Sequence, residues 1–336
     1  MSGKRVTIAD VAARAGVDPG LVSKVLNDKP GFSIRDSTRA RILQAATDLA
    51  YRPSGAARSL RTSRTGAIGV LLPTFTNPIW PIILDAAEAE ADRRGYTLLA
   101  GIAGDESSAG ARRPSRFLDL AKGGAVDGLL VASTLDDTDL VEGLEHTPWL
   151  HINRRPDKSR RHVLLDDAAG TALATQHLID LGHTRLAHLS GPLGTDSGRR
   201  RLEGFQAAAA AFGADHPVAE ARYDVTSGKA AMSELLALPS RPTGVVCANV
   251  ASAAGALAAA AEKGVAVPGD ISVVALHDIA LAESFRPALT TVRMPLEELG
   301  RRAVELLLDV EAGADIDEMI AGPVELVERE SSAPPA

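Results

Sequence analysis

From residue 67 onward the chain alternates short, unbroken apolar runs with longer helix-periodic stretches, and this alternation leaves few folds open. Ala67-Ile68-Gly69-Val70-Leu71-Leu72 is apolar at every position, as a strand covered on both faces must be. A helical pattern follows over residues 78–94, then a strand pattern at Tyr96-Thr97-Leu98-Leu99. The same rhythm predicts strands at 128–132, 149–152, 185–190, 244–248 and 271–276, and helices at 168–181, 199–212 and 251–263. Strands separated by helices build parallel sheets with helices on both faces. There are too many strands for one compact sheet, so two similar α/β subdomains are expected.

The first 65 residues read differently. They hold twelve Lys/Arg against five Asp, a net charge of +7, on a chain whose total is −7, which leaves −14 for the remainder. A basic head on an acidic body fits a head that alone meets a polyanion, or else a solvated basic surface. Thr7-Ile8-Ala9-Asp10 has the form of a capping box, and Ile8, Val11, Ala12 and Ala15 follow at helical spacing. Gly16 breaks that helix. Asp18-Pro19 starts another, with Asp as the cap and Pro at the first helical position, where its missing N–H costs nothing. Val22, Val25 and Leu26 form its apolar stripe, and Asp36 or Ser37 is expected to cap a third helix with Ile42, Ala45, Ala46 and Leu49 inward. Two short helices joined by a glycine turn and closed by a third make an all-α helix-turn-helix domain.

No run of about 18 apolar residues is present for a membrane span. The start of the chain lacks the apolar core of an export signal, and Cys247 is the sole cysteine. A cytoplasmic protein is expected. P-loop, dinucleotide-binding glycine fingerprint, HExxH, Gly-x-Ser-x-Gly and metal-spaced Cys/His patterns are all missing from the sequence. Gly191-Pro192-Leu193-Gly194-Thr195 lacks the lysine of a phosphate loop, and His183 and His188 read as structural. Neither catalytic residues nor a cofactor is expected.

The stretch TIADVAARAGVDPGLVSKVLND, the following STRARILQAATDLAYRPSGAARSLRTSRTGAIGVLLP, and HLIDLGHTRLAHLSGP, RRRLEGF, VPGDISVVAL and LTTVRMPLEELGRRAVELLL together resemble the LacI/GalR (lactose-repressor) family of bacterial regulators. The resemblance implies a helix-turn-helix DNA-binding domain at 1–53, a hinge helix and linker at 54–64, and a periplasmic-binding-protein-like body of two doubly wound parallel-sheet subdomains at 65–336. The subdomains are expected over about 65–164 with 294–320, and 165–293 with 321–331. It further implies a homodimer on a near-palindromic double-stranded DNA operator, governed by a small-molecule effector such as a sugar or related metabolite.

In such proteins the second helix enters the major groove. Here it offers Pro19, Gly20, Ser23, Lys24 and Asn27, and the first two carry no side-chain donor. Thr7, Ser23 and Arg39 suit phosphate contacts. The hinge at residues 54–61 matches a minor-groove helix, with Leu60 as the wedge, Ala57 at the close approach, and Ser54 and Arg58 beside it. A flexible linker is the other reading of that segment. In the body, ligands bind outside the carboxyl ends of the strands. Asn77, Ile79 and Trp80 resemble a ligand loop, although Trp80 also suits core packing. Asn153-Arg154 stands where the family often has Asp-Arg, His277-Asp278 where it often has paired Asp, and Val250 where an Asp usually follows Asn249. Arg201 matches an effector-contacting arginine, or else closes the subdomains through a salt bridge. The alanine-rich helices near 82–94 and 251–263 are expected at the dimer contact. A solute-binding protein for transport or sensing shares the body fold, but carries no basic head.

Overall fold

The computed structural model describes residues 6–26, 31–51, 64–103, 116–133, 142–144, 147–157, 159–210, 213, 216–311 and 314–336. Of the expected DNA contacts, Asn27, Ser54, Ala57, Arg58 and Leu60, and with them the 54–61 hinge, lie outside these residues. The chain divides into two units, Met1–Thr65 and Gly66–Ala336.

The head is three helices: α1 (Ile8–Ala15), α2 (Pro19–Leu26) and α3 (Asp36–Asp48). The capping box closes in both directions. Asp10 N–H donates to the Thr7 hydroxyl at 3.4 Å, and Thr7 N–H donates to the Asp10 carboxylate at 2.8 Å. Gly16 ends α1 in the left-handed region at φ +64°, which glycine reaches without Cβ strain. The Asp18 carboxylate accepts from Gly20 N–H at 2.7 Å at the start of α2. The third helix differs from expectation. Its cap position is Arg35, which makes no side-chain cap bond, and Asp36 is already helical. Asp36 there supports the helix only through its charge in the first turn. Val11, Ala12, Val22, Val25, Ile42 and Ala45 close a small core.

The body contains two six-stranded sheets. The first has the order β11-β5-β4-β3-β1-β2, with β1 Ala67–Leu72, β2 Thr97–Ile102, β3 Gly128–Val131, β4 Trp149–Ile152, β5 Arg161–Leu165 and β11 Ile316–Ile320. The second has the order β12-β10-β9-β8-β6-β7, with β6 Leu186–Ser190, β7 Val218–Glu220, β8 Gly244–Cys247, β9 Ser272–Leu276, β10 Thr290–Arg293 and β12 Glu325–Val327. All neighbouring strands run parallel except β10 and β12, which are antiparallel. That departs from the all-parallel expectation. It follows from the chain's last crossing, which brings β12 directly back from the end of β11. The chain passes between the sheets three times, after β5, after β10 and after β11.

Period-two alternation assigns each strand residue to one face. In the second sheet Leu186, Val246, Val274 and Leu276 join Ala174, Leu178 and Phe205 of α6 (Asp167–Asp180) and α7 (Asp196–Ala209). Ala187, Leu189, Val245 and Cys247 face α8 (Val225–Leu236) and α9 (Val250–Glu262) instead. In the first sheet Ile68, Val70, Leu130 and Leu150 pack with residues of α4 (Ile79–Arg93) and α10 (Leu296–Asp309), and Leu71, Leu129 and Val131 with Ala121 of α5 (Arg116–Lys122). Helix α7 begins three residues earlier than its pattern suggested, because the Thr195 hydroxyl caps it by accepting from Gly198 N–H at 3.2 Å.

Part of each alanine-rich helix expected to pair two copies packs inside the protein, while Ala89 of α4 and Ala254 and Ala258 of α9 remain at least partly accessible. Ala87 and Ala91 of α4 are buried, and α10 crosses α4 so closely that a Cβ on Gly300 would lie 2.1 Å from the Ile83 carbonyl oxygen. Ala253, Ala256, Ala259 and Ala260 of α9 are buried, and a Cβ on Gly255 would lie 2.1 Å from the Val225 carbonyl oxygen of α8. Because backbone, not a flexible side chain, opposes that methyl, Gly255→Ala is expected to lower stability by about 1–3 kcal/mol in urea titration. An unchanged midpoint would mean that α8 and α9 are free to separate.

Candidate functional site

Parallel topology aims the carboxyl ends of the strands of each sheet toward one edge, and the loops there carry a polar residue after almost every strand. In the first sheet these are Asn77 after β1, Ser133 after β3, and Asn153 and Arg154 after β4. In the second they are Ser190 at the end of β6, Tyr223 after β7, Asn249 after β8 and His277 after β9.

A buried ion cluster organises the second group. Asp167 opens α6 and is fully buried; its carboxylate accepts from Arg201 Nε at 2.7 Å and from Arg200 Nη2 at 2.5 Å. Burial alone raises a carboxyl, but the guanidinium charges of Arg201 and Arg200 outweigh it and hold Asp167 below its ordinary value. Arg200 also donates to Asp196, one helical turn earlier, at 2.9 Å. Arg201 Nη1 donates to the Ala248 carbonyl at 2.9 Å, and its guanidinium lies 5.1 Å from the Tyr223 ring centroid.

Tyr223 is held in the left-handed region at φ +64°, an uncommon place for an aromatic residue. Two contacts fix it. The Asn249 amide donates to its carbonyl at 3.2 Å, and its hydroxyl lies 3.2 Å from Ser197 Oγ. Gly191 makes room for the phenol, since a Cβ there would sit 2.1 Å from the hydroxyl. From the first sheet, Arg154 reaches the same group. Its Nε donates to the Ala132 carbonyl at 3.3 Å, its Nη1 donates to Ser197 Oγ, and its guanidinium lies 5.9 Å from the Tyr223 ring.

Several buried polar atoms at these strand ends have no protein partner among the described residues: Trp80 Nε1, Ser133 Oγ, Asn153 Oδ1, Ser190 Oγ, Ser252 Oγ and both ring nitrogens of His277. Orphaned buried polar atoms are costly and uncommon in native proteins. Their recurrence after β3, β4, β6 and β9 is what a polar ligand site requires. His277 sits at φ +71°; burial pulls its imidazole down to about 3, with the Arg201 charge adding to the effect.

The expected effector residues therefore divide. Arg201, Asn249 and His277 belong to the cluster or its field, and Asn153 immediately precedes Arg154. The Asn249 amide is committed to protein: it caps α9 by accepting from Ser252 N–H at 2.9 Å and it holds Tyr223. Asn77 accepts from Ile79 N–H at 3.4 Å, while Ile79 and Trp80 are packed into the large apolar cluster, the core role weighed for Trp80. Ser197, Tyr223 and Asp167 were not singled out from sequence, and Arg154 entered only as the second residue of the Asn153-Arg154 pair. A pointer to Ser197 was available, because it precedes Arg201 by one helical turn. A separate cavity of about 270 Å³ lies beside the cluster, lined among others by Arg155, Arg199, Arg200, Asp157, Asp196 and Glu203.

On the head, Thr7, Pro19, Gly20 and Lys24 are exposed, and Ser23 and Arg39 are half-buried. The Thr7 hydroxyl is engaged with Asp10, and the Lys24 ammonium lies 5.3 Å from the Phe32 ring centroid.

Residues 7–54 match the model of bacterial regulatory proteins of the lacI family, and residues 175–332 match a periplasmic binding protein-like domain. The ribose operon repressor of Escherichia coli (strain K12) is 36% identical over 313 residues, 90% of this chain and 92% of that protein. This chain belongs to the lacI family of bacterial regulatory proteins. The transcriptional repressor PurR of Edwardsiella ictaluri (strain 93-146) is 34% identical over 97% of each chain. Among solved structures, the lac repressor dimer bound to operator and the anti-inducer ONPF superposes with a TM-score of 0.83 at 27% identity, covering 98% of this chain and all of that one. No described helix of this lacI-family chain is long and apolar enough to cross a membrane.

Two buried imidazoles set a pH dependence. Burial holds His188 at about 4, where it stacks on Phe205 at 5.1 Å, and His277 at about 3. An unfolded histidine titrates near ~6.5, so between these values the unfolded chain binds more protons and stability rises with pH. The urea midpoint is expected to fall as the buffer goes from about pH 7 to about pH 5, less steeply in His277→Gln. A midpoint constant across that range would show that these imidazoles do not stay neutral.

Proposed function

We propose that this lacI-family chain is a transcriptional repressor that binds a near-palindromic operator as a homodimer, under control of a small-molecule effector related to sugars or other polar metabolites. The reading is carried by the convergence of Arg154, Ser197, Tyr223 and Arg201 with orphaned polar atoms at the strand ends of both sheets. Such a set of groups offers a planar donor fork, amides, hydroxyls and an aromatic face, which suit a polyhydroxylated ligand. The α2 helix is assigned to the major groove, with Lys24 reaching a base or phosphate, and the 54–61 segment with Leu60 to the minor groove. A cytoplasmic location follows from that role. A solute-binding protein for transport is the competing assignment, and the helix-turn-helix head argues against it.

A footprint on DNA selected from a random library is expected to be an inverted repeat, since two heads about a two-fold axis read two half-sites. Lys24→Ala is expected to weaken binding, lowering the salt slope by about 1 if the contact is to phosphate and relaxing specificity if it is to a base. Selected DNA without two-fold symmetry would sink the dimer-on-palindrome reading.

The dimer surface is assigned to the β2 edge of the first sheet. Leu99 and Ile102 are 41% and 42% exposed there, an apolar display that an isolated edge strand usually avoids. Leu99→Glu is expected to shift the protein from dimer to monomer in sedimentation equilibrium. A wild-type monomer at micromolar concentration, or an unperturbed variant dimer, would overturn this placement.

A further inference from the structure

The charges at the strand ends do not balance, and the imbalance specifies the ligand. Arg200 and Arg201 share Asp167, and Arg200 also pairs with Asp196. Arg154 is 9% exposed, yet its partners are a carbonyl, a hydroxyl and an aromatic ring, and no described carboxylate pairs with it. A buried guanidinium without a counter-charge is costly, so a protein that keeps one gains from it elsewhere.

Among the described residues, the carboxylates near these strand ends are already engaged. The orphaned atoms at the strand ends come from amide, hydroxyl and imidazole side chains. Asp278, next to His277, is already bound to Thr291, Arg293 and Arg329. Asp224 caps α8 by accepting from Ser227 N–H at 2.8 Å. Asp136 and Asp137, which follow β3, lie outside the described residues. Helices α7 and α9 both begin at this edge, and the positive ends of their dipoles add to the field. The cavity beside the cluster is different, because its three arginines are matched by three carboxylates.

We infer that the effector carries a negatively charged group, a carboxylate or a phosphate ester, seated on the Arg154 guanidinium, with its neutral polar groups on the Asn153, Ser133, Ser190, Ser252 and His277 side chains. This rests on the reading of the body as an effector-binding domain. The anion completes the Arg154 charge balance, and the ligand occupies the polar atoms that lack protein partners.

Matched ligands test it on the full chain by thermal shift and calorimetry: glucose with glucuronate, galactose with galacturonate, and ribose with its phosphate ester, with sulfate and inorganic phosphate controlling for ionic strength. The expected result is that at least one charged member raises Tm while its neutral counterpart does not. The carboxylate and phosphate members distinguish the two anion types. Arg154→Met is expected to weaken that ligand by at least about tenfold, as loss of a charge-assisted contact does. Arg154→Lys should retain part of the affinity. Ligand-free Arg154→Met loses the hydrogen bonds to Ala132 and Ser197 but no ion pair, so its Tm is expected to fall by no more than those two bonds allow. Equal shifts from both members of each pair, no shift from any charged member, or undiminished binding by Arg154→Met would overturn the inference. Operator binding by the ligand-free chain is scored in parallel. Operator release or capture by a neutral sugar removes the anion inference and leaves the effector reading standing, whereas failure to bind any DNA removes that reading itself.

Discussion

The carboxylate of Asp167, buried between two guanidinium groups, fixes the geometry from which the rest of the body site is built. Breaking such a buried set by removing one partner costs roughly 3–5 kcal/mol, because the remaining charges are left without compensation. Asp167 stands where the chain first leaves the first sheet, two residues after β5. It locks α6 to α7 through Arg200 and Arg201, and Arg201 carries the connection to the end of β8 at Ala248. Tyr223 packs on Arg201 and touches Ser197, and Ser197 accepts from Arg154 of the first sheet. One continuous chain of contacts thus joins the strand ends of both sheets.

Where that chain passes from sheet to sheet, its direct polar link is narrow. Arg154 meets Ser197 and the Tyr223 ring, beside an apolar cluster that contains residues of both sheets and their helices, among them Leu150, Ile152, Leu276 and Phe205. A ligand seated there competes for the groups that set the spacing of the sheets. It shifts that spacing only to the extent that it prefers one arrangement over another. The second sheet is braced at its far end by the C-terminal segment. Ser331 is fully buried, with Val273 N–H donating to its carbonyl at 2.8 Å, and Ala333 accepts from His183 at 2.9 Å.

The alternation of strands and helices was legible because strands buried on both faces are written as apolar runs, as in β1, β3 and β8. Short or half-exposed elements carry no such signature. Strand β7 has three residues with only Ala219 buried, and α5 buries only Ala121. The start of α7 was placed three residues late, at Arg199, because the Thr195 cap and the buried Asp196, Ser197 and Gly198 carry no apolar signature. Arg201 was legible from its family motif. Tyr223 was not, because its position depends on a left-handed backbone and on room left by Gly191, neither of which a side-chain pattern encodes. Asn249 was legible as a strand-end amide, but only coordinates show that both of its polar atoms are already used by Ser252 and Tyr223.

The head poses a separate electrostatic constraint. A helix N-terminus ordinarily offers free N–H groups and a positive dipole end to a phosphate. At α2 the Asp18 carboxylate occupies that end and takes the Gly20 N–H. Pro19 has no N–H, and neither Pro19 nor Gly20 has a polar side chain to replace it. The Thr7 hydroxyl is likewise turned to Asp10. Under the DNA-binding role proposed above, backbone anchoring then passes to charged side chains such as Lys24 and Arg39. Base selection at the start of the recognition helix is left to shape and apolar contact. A head arranged in this way depends more heavily than usual on whatever the 54–61 segment contributes.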